Sequence, residues 1–139
     1  MAGQPFTVAC VQTNAGREPE ANIRAVSDLI RRARDAGGEF ILAPEMVNML
    51  EPDKDLLWAG ARAEADDPTL AAFRALARET GAWLLAGSLA VRAGDDAGKL
   101  ANRSFLIAPA GDIAARYDKI HMFDVDLGQG ERYRESRTY

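Results

Sequence analysis

The sequence predicts an α/β domain in which a mixed β-sheet carries helices on one face. Three observations predict it. Short apolar runs alternate with amphipathic stretches of helical period over the first part of the chain. Proline, glycine and aspartate fall where those helices should begin and end. The last two apolar runs are joined by a four-residue turn sequence, Pro109 to Asp112, as antiparallel neighbours are.

Each element follows in order. Phe6 to Val11 (FTVACV) is a mostly apolar run just after Pro5 and reads as a buried strand. Asn14 to Arg17 is a polar loop, and Pro19 suits the first position of a helix. Ile23, Val26, Ile30 and Ala33 recur at helical spacing, with Arg24, Arg31 and Arg34 on the other side. Gly37 and Gly38 end that helix. Phe40 to Ala43 (FILA) is the second strand, closed by Pro44 and Glu45. The stretch from Val47 to Ala63 reads as irregular or weakly helical. Asp67 as N-cap and Pro68 at the first position start a second helix, which buries Leu70, Phe73, Leu76 and Ala77 and stops at Gly81. Trp83 to Val91 is a third strand, residues 93 to 99 a loop, and Arg103 to Ala108 and Ile113 to Tyr117 a hairpin. The expected order is β-α-β-α-β-β-β, with no repeat and no linker.

The chain has 139 residues, which suits one domain with a real core. A net charge of −4 and a pI near 5.0 exclude the basic face that nucleic-acid binding requires. Apolar runs such as Ala82 to Leu85 are far too short to cross a bilayer, and the N-terminus has no signal-peptide pattern. A single cysteine forms no internal disulfide. A cytoplasmic location, with no membrane and no nucleic-acid partner, is therefore expected.

Ionisable residues collect at strand ends. Glu45 follows the apolar FILA run, and Lys119 lies just past the strand that ends at Tyr117. Carboxylates and cations at such positions serve active sites in α/β folds, although from position alone each reads as a solvated charge. His121, the only histidine, stands between Ile120 and Met122 and reads as a packed residue rather than a base. Cys10, inside FTVACV, reads as a buried, inert core thiol. No metal site is expected, because there is no second histidine and the cysteine is remote. Asp124, Asp126 and Glu135 begin a calcium-loop pattern, but Gly128 and Gln129 break it at its fifth and sixth places. The GQG at 128 to 130 lacks the third glycine of a dinucleotide motif.

Taken together, the segments resemble the nitrilase superfamily of carbon–nitrogen hydrolases, along essentially the whole chain. VACVQTNAGREPEANI is similar to the family's first strand and opening helix, FILAPEM to its first catalytic segment, RYDKIHMFDVD to its second and RYRES to the segment of a supporting glutamate. The wording is closest to the branch holding omega-amidase and the deaminated-glutathione amidases. The resemblance implies an α-β-β-α sandwich fold, of which residues 1–139 would be the N-terminal part of one domain, incomplete at its C-terminus. It implies Glu45 as general base, Lys119 as catalytic lysine and Glu135 as supporting acid, with Asn48, Met49 and Phe123 as pocket residues. It implies cleavage of a small linear amide to carboxylate and ammonia, with no cofactor and with homo-oligomers at full length. The family's nucleophilic cysteine lies downstream of the RYRES-like segment and is absent from this chain; Cys10 matches a first-strand position instead. The chain alone is therefore expected to be inactive and marginally soluble. The alternatives are a non-catalytic half-domain or pseudoenzyme that binds or assembles with a partner, and an unrelated binding module. In the last of these, Glu45 and Lys119 would be separate surface charges.

Overall fold

The computed structural model describes residues 4–93, 99–128 and 131–139. Most of the loop expected at 93 to 99, and Gln129 and Gly130 of the GQG sequence, lie outside the described residues. The elements are β1 (Val8–Cys10), α1 (Pro19–Asp35), β2 (Phe40–Leu42), α2 (Lys54–Gly60), β3 (Arg62–Ala63), α3 (Pro68–Thr80), β4 (Trp83–Arg92), β5 (Leu100–Ile107), β6 (Ile113–Asp118), β7 (Asp124–Gly128) and β8 (Glu131–Arg134). One sheet runs β1-β2-β4-β5-β6, with β3 also pairing β4; β7 and β8 form a separate ribbon. The pairs β1–β2, β2–β4 and β3–β4 are parallel, whereas β4–β5 and β5–β6 are antiparallel. The sheet is mixed, as expected from helices that give way to a hairpin.

Local chemistry explains the helix ends. Pro19 opens α1, and Gly37 adopts φ 95° just past its end. The Asp67 carboxylate caps α3 by accepting from the Leu70 N–H at 2.8 Å, and Gly81 closes that helix at φ 65°. Leu70, Phe73, Leu76 and Ala77 are buried as predicted. They pack with Val26 and Ile30 of α1 onto the inner sheet face, where Ile41, Leu84, Phe105 and Ile107 are fully buried. Both long helices thus cover one face.

The register assigns the other face. Val8, Phe40 and Trp83 align across one row, and Cys10, Leu42, Leu85 and Leu106 across the next. Each of these residues is half-buried or exposed, Val8 at 52%. This corrects the reading of Cys10, which is exposed rather than buried. FTVACV alternates between faces, so its apolar content describes two environments and not one core. His121 is likewise exposed rather than packed, because it follows β6 in the connection toward the ribbon.

The stretch from Val47 to Ala63 is more ordered than expected. Asp53 caps α2, its carboxylate accepting from the Asp55 and Leu56 N–H groups at 3.0 and 3.1 Å. The chain then joins β4 through the two-residue strand β3.

Candidate active site

Glu45 is held by the segment that bridges β2 and α2. β2 leaves the edge of β4 after Leu42, and β3 joins that edge only at Val91. Residues 43–48 fill the gap. The N–H groups of Ala43 and Val47 donate to the carbonyls of Leu85 and Ser88, at 2.9 and 3.0 Å. The Met46 N–H donates to Ser88 Oγ at 2.9 Å. Asn48 completes the row with its side chain: Nδ2 donates to the Ala90 carbonyl, and Oδ1 accepts from the Ala90 N–H, both at 3.0 Å. Met46 takes φ 53°, a strained value for a side-chain-bearing residue and one that turns the chain sharply beside Glu45. A Cβ at Gly87 would collide with the backbone of Ala43 and Pro44, so only glycine lets this segment lie so close. Opposite Gly87, the β4–β5 register shifts between Ala86 and Leu89, and the Ser104 hydroxyl donates to the Gly87 carbonyl.

Lys119 and Glu135 arrive from the other side. Lys119 follows β6, and its N–H donates to the Asn102 carbonyl of β5 at 3.0 Å. Glu135 follows β8 in a short 3₁₀ turn. Its Oε2 accepts from the Phe123 N–H, and its own N–H donates to the Phe123 carbonyl at 3.3 Å. These bonds bring three side chains together. Lys119 Nζ donates to Glu45 Oε1 at 2.8 Å and to both oxygens of Glu135 at 3.0 Å. The Lys119 and Glu135 side chains are 29% and 17% exposed, while Glu45 keeps 56% of its side chain open to the cleft. The separated-charge reading does not survive this convergence.

The electrostatics follow from the contacts. The Lys119 ammonium holds the Glu45 carboxyl below its ordinary value; partial burial opposes this, and the Asn102 amide adds to it. Burial is the largest single influence on Lys119 and pulls it down, but the bonds and charges of Glu45 and Glu135 together outweigh it and raise the ammonium. Burial also raises the Tyr139 phenol, helped by the Glu135 and Glu45 charges. The phenol donates to Met46 Sδ at 3.4 Å, packing Tyr139 against the strained turn.

The cluster opens into a cleft of about 550 Å³ whose lining includes Met46, Leu50, Phe123, Tyr133 and Tyr139. Phe123 sits in the wall, with its ring 6.0 Å from that of Tyr133. Asn48 and Met49 do not line this cleft. Asn48 is buried in its bonds to Ala90, and Met49 packs with Leu57, Ala61, Ala90 and Leu100. Cys10 is not among the lining residues either. Among the described residues, no group of three or more histidine, cysteine or acidic side chains is placed to hold a metal ion.

The residue that sequence reasoning missed is Asn102, whose Nδ2 donates to Glu45 Oε1 at 2.7 Å and reaches Glu135 Oε1 at 3.4 Å. Its signal was present: a polar side chain inside the otherwise apolar LANRSFLI strand.

Comparison with known proteins agrees with this geometry. The carbon–nitrogen hydrolase family model matches residues 7–139. The chain is 32% identical over 133 residues to a deaminated glutathione amidase of Yersinia enterocolitica, covering 95% of this chain and 46% of that protein. It is 27% identical over 133 residues to human omega-amidase NIT2, covering 96% and 46%. The crystal structure of the C. elegans NitFhit protein superposes with a TM-score of 0.79 at 26% identity, covering 97% of this chain and 34% of that one. The chain spans about half the length of the curated relatives it matches. A family match along almost its full length and a nitrilase-like mixed sheet place this chain in the carbon–nitrogen hydrolase family.

Proposed function

We propose that the chain carries the base and the oxyanion cation of an amidase site that cleaves a small linear amide to a carboxylate and ammonia. The observation that carries this reading is the bridge of Lys119 Nζ between Glu45 and Glu135, at 2.8 and 3.0 Å. Glu45, half open to the cleft, is the general base. It takes the proton of a cysteine thiol as the sulfur adds to the amide carbonyl, and gives that proton to the departing amine. Ammonia leaves and a thioester remains. Glu45 then takes a proton from water, the oxygen adds to the thioester carbonyl, and the carboxylic acid and thiol separate. Lys119 stabilises the oxyanion of each tetrahedral intermediate. Glu135 holds Lys119 in place, and Phe123 walls the pocket beside it. The nucleophilic cysteine is supplied by sequence outside these 139 residues; Cys10 is not among the residues that line the cleft. The relatives named as amidases support the reaction class.

The test is ammonia release from short aliphatic amides by the complete gene product. Glu45→Gln should lower kcat by roughly 10²–10⁴-fold and Lys119→Ala by roughly 10²–10³-fold. Turnover that survives both changes would end this assignment.

A further inference from the structure

Asn102 touches all three charged residues of the site. Its Nδ2 donates to Glu45 Oε1 at 2.7 Å and to Glu135 Oε1 at 3.4 Å, and its carbonyl accepts from the Lys119 N–H at 3.0 Å. It is 2% exposed, on a strand paired on both sides. Its Oδ1 is buried and, among the described residues, has no hydrogen-bond partner. A buried acceptor left unpaired destabilises a fold, so an apolar side chain would suit this strand better on stability alone. The orientation of the amide is fixed by its neighbours: ionised carboxylates only accept, so the NH₂ must face them and the carbonyl oxygen must face away.

Glu45 completes the pattern. Oε1 receives both Asn102 and Lys119, while Oε2 accepts from no described residue. Lys119 holds Oε1 from a flexible stem that is also needed at the substrate oxygen. Asn102 holds the same atom from a short side chain on a fixed strand.

We propose that Asn102 is the positioning residue of this site, anchoring Glu45 by Oε1 beside Glu135 so that Oε2 is the edge that exchanges the proton. The inference rests on the amidase reading above for its consequence in turnover, but not for the anchoring itself. When the lysine engages an oxyanion, the amide keeps the carboxylate aimed and ionised. The contribution of the Asn102 bond to holding Glu45 below its ordinary value agrees with this role. Asn102→Asp would set a third carboxylate against the other two, and Asn102→Ala would leave Glu45 held by Lys119 alone.

The anchoring is read by carboxyl-detected NMR titration of the 139-residue chain. Asn102→Ala should move the Glu45 midpoint upward and Asn102→Asp further, while Glu79, bound to Arg31 away from the site, stays fixed. Should neither variant fold, the unmodified chain gives the answer. The Asn102 side-chain amide signals should shift as Glu45 protonates, and that step should vanish in Glu45→Gln. In the complete gene product, Asn102→Ala should lower kcat roughly tenfold with little change in KM and raise the acidic limb of the pH profile. A Glu45 midpoint unmoved in a folded variant, or amide signals blind to Glu45, overturns the inference. A moved midpoint in a protein that releases no ammonia would uphold the anchoring and remove only the amidase reading. Ammonia release lost in Glu45→Gln yet untouched in Asn102→Ala would remove only the role of Asn102.

Discussion

Glu45 and Lys119 shift each other in opposite directions, and the signs give a pH dependence. Glu45 titrates lower in the folded chain than its ordinary 4.5, so its contribution to stability is complete above that value and lost as pH falls through the folded one. Lys119 is raised from 10.5, so its contribution is complete below that value and lost as pH rises through the folded one. Lys119→Ala leaves two carboxylates facing each other without a cation. It should cost about 1 kcal/mol at pH 7, a modest figure because Glu45 is half exposed, and less at an acid pH below 4.5, where the Glu45 contribution is being lost. Chemical denaturation at the two pH values checks this; an equal cost at both would contradict it. The meeting of Glu45, Lys119 and Glu135 was expected from the sequence only through the resemblance of FILAPEM, RYDKIHMFDVD and RYRES, since from position alone Glu45 and Lys119 read as solvated charges. Asn102 was not, since its role depends on strands β4 to β6 and on a turn 33 residues downstream. Cys10 was misread because strand composition does not say which face is covered.

At the scale of elements, the segment from Ala43 to Asn48 decides where Glu45 sits. It replaces a strand along β4, and Asn48 supplies with its side chain the two bonds that a backbone would have made there. Asn48→Ala strands the N–H and carbonyl of buried Ala90, and should cost roughly 2–4 kcal/mol. A thermal melt checks the cost. A nearly unchanged melting temperature alongside a raised KM would instead restore Asn48 to the substrate pocket. Helices α1 and α3 were legible because proline, Asp67 and Gly81 mark their ends. α2 was obscured because it is only seven residues long, too short for a periodic signal. The β7–β8 ribbon was hidden by its polar composition, which reads as loop unless its pairing is seen.

The two faces of the sheet are covered unequally. Helices α1 and α3 bury the inner side of the sheet, while Phe6, Val8 and Trp83 stand exposed on or beside the outer side, at 63%, 52% and 38%. The chain spans about half the length of its curated relatives. Among the described residues, no helix is long and apolar enough to cross a membrane. The central claim is that Glu45 and Lys119 serve a cysteine outside this chain. Acid-quenched mass spectrometry tests it most directly, on the complete gene product and on the 139-residue chain, each mixed with a short aliphatic amide. The account predicts one acyl group on a cysteine other than Cys10 in the complete protein, strongly reduced by Glu45→Gln, and none on the 139-residue chain. An acyl group on Cys10, or ammonia released by the 139-residue chain at an enzyme-like rate, would contradict it.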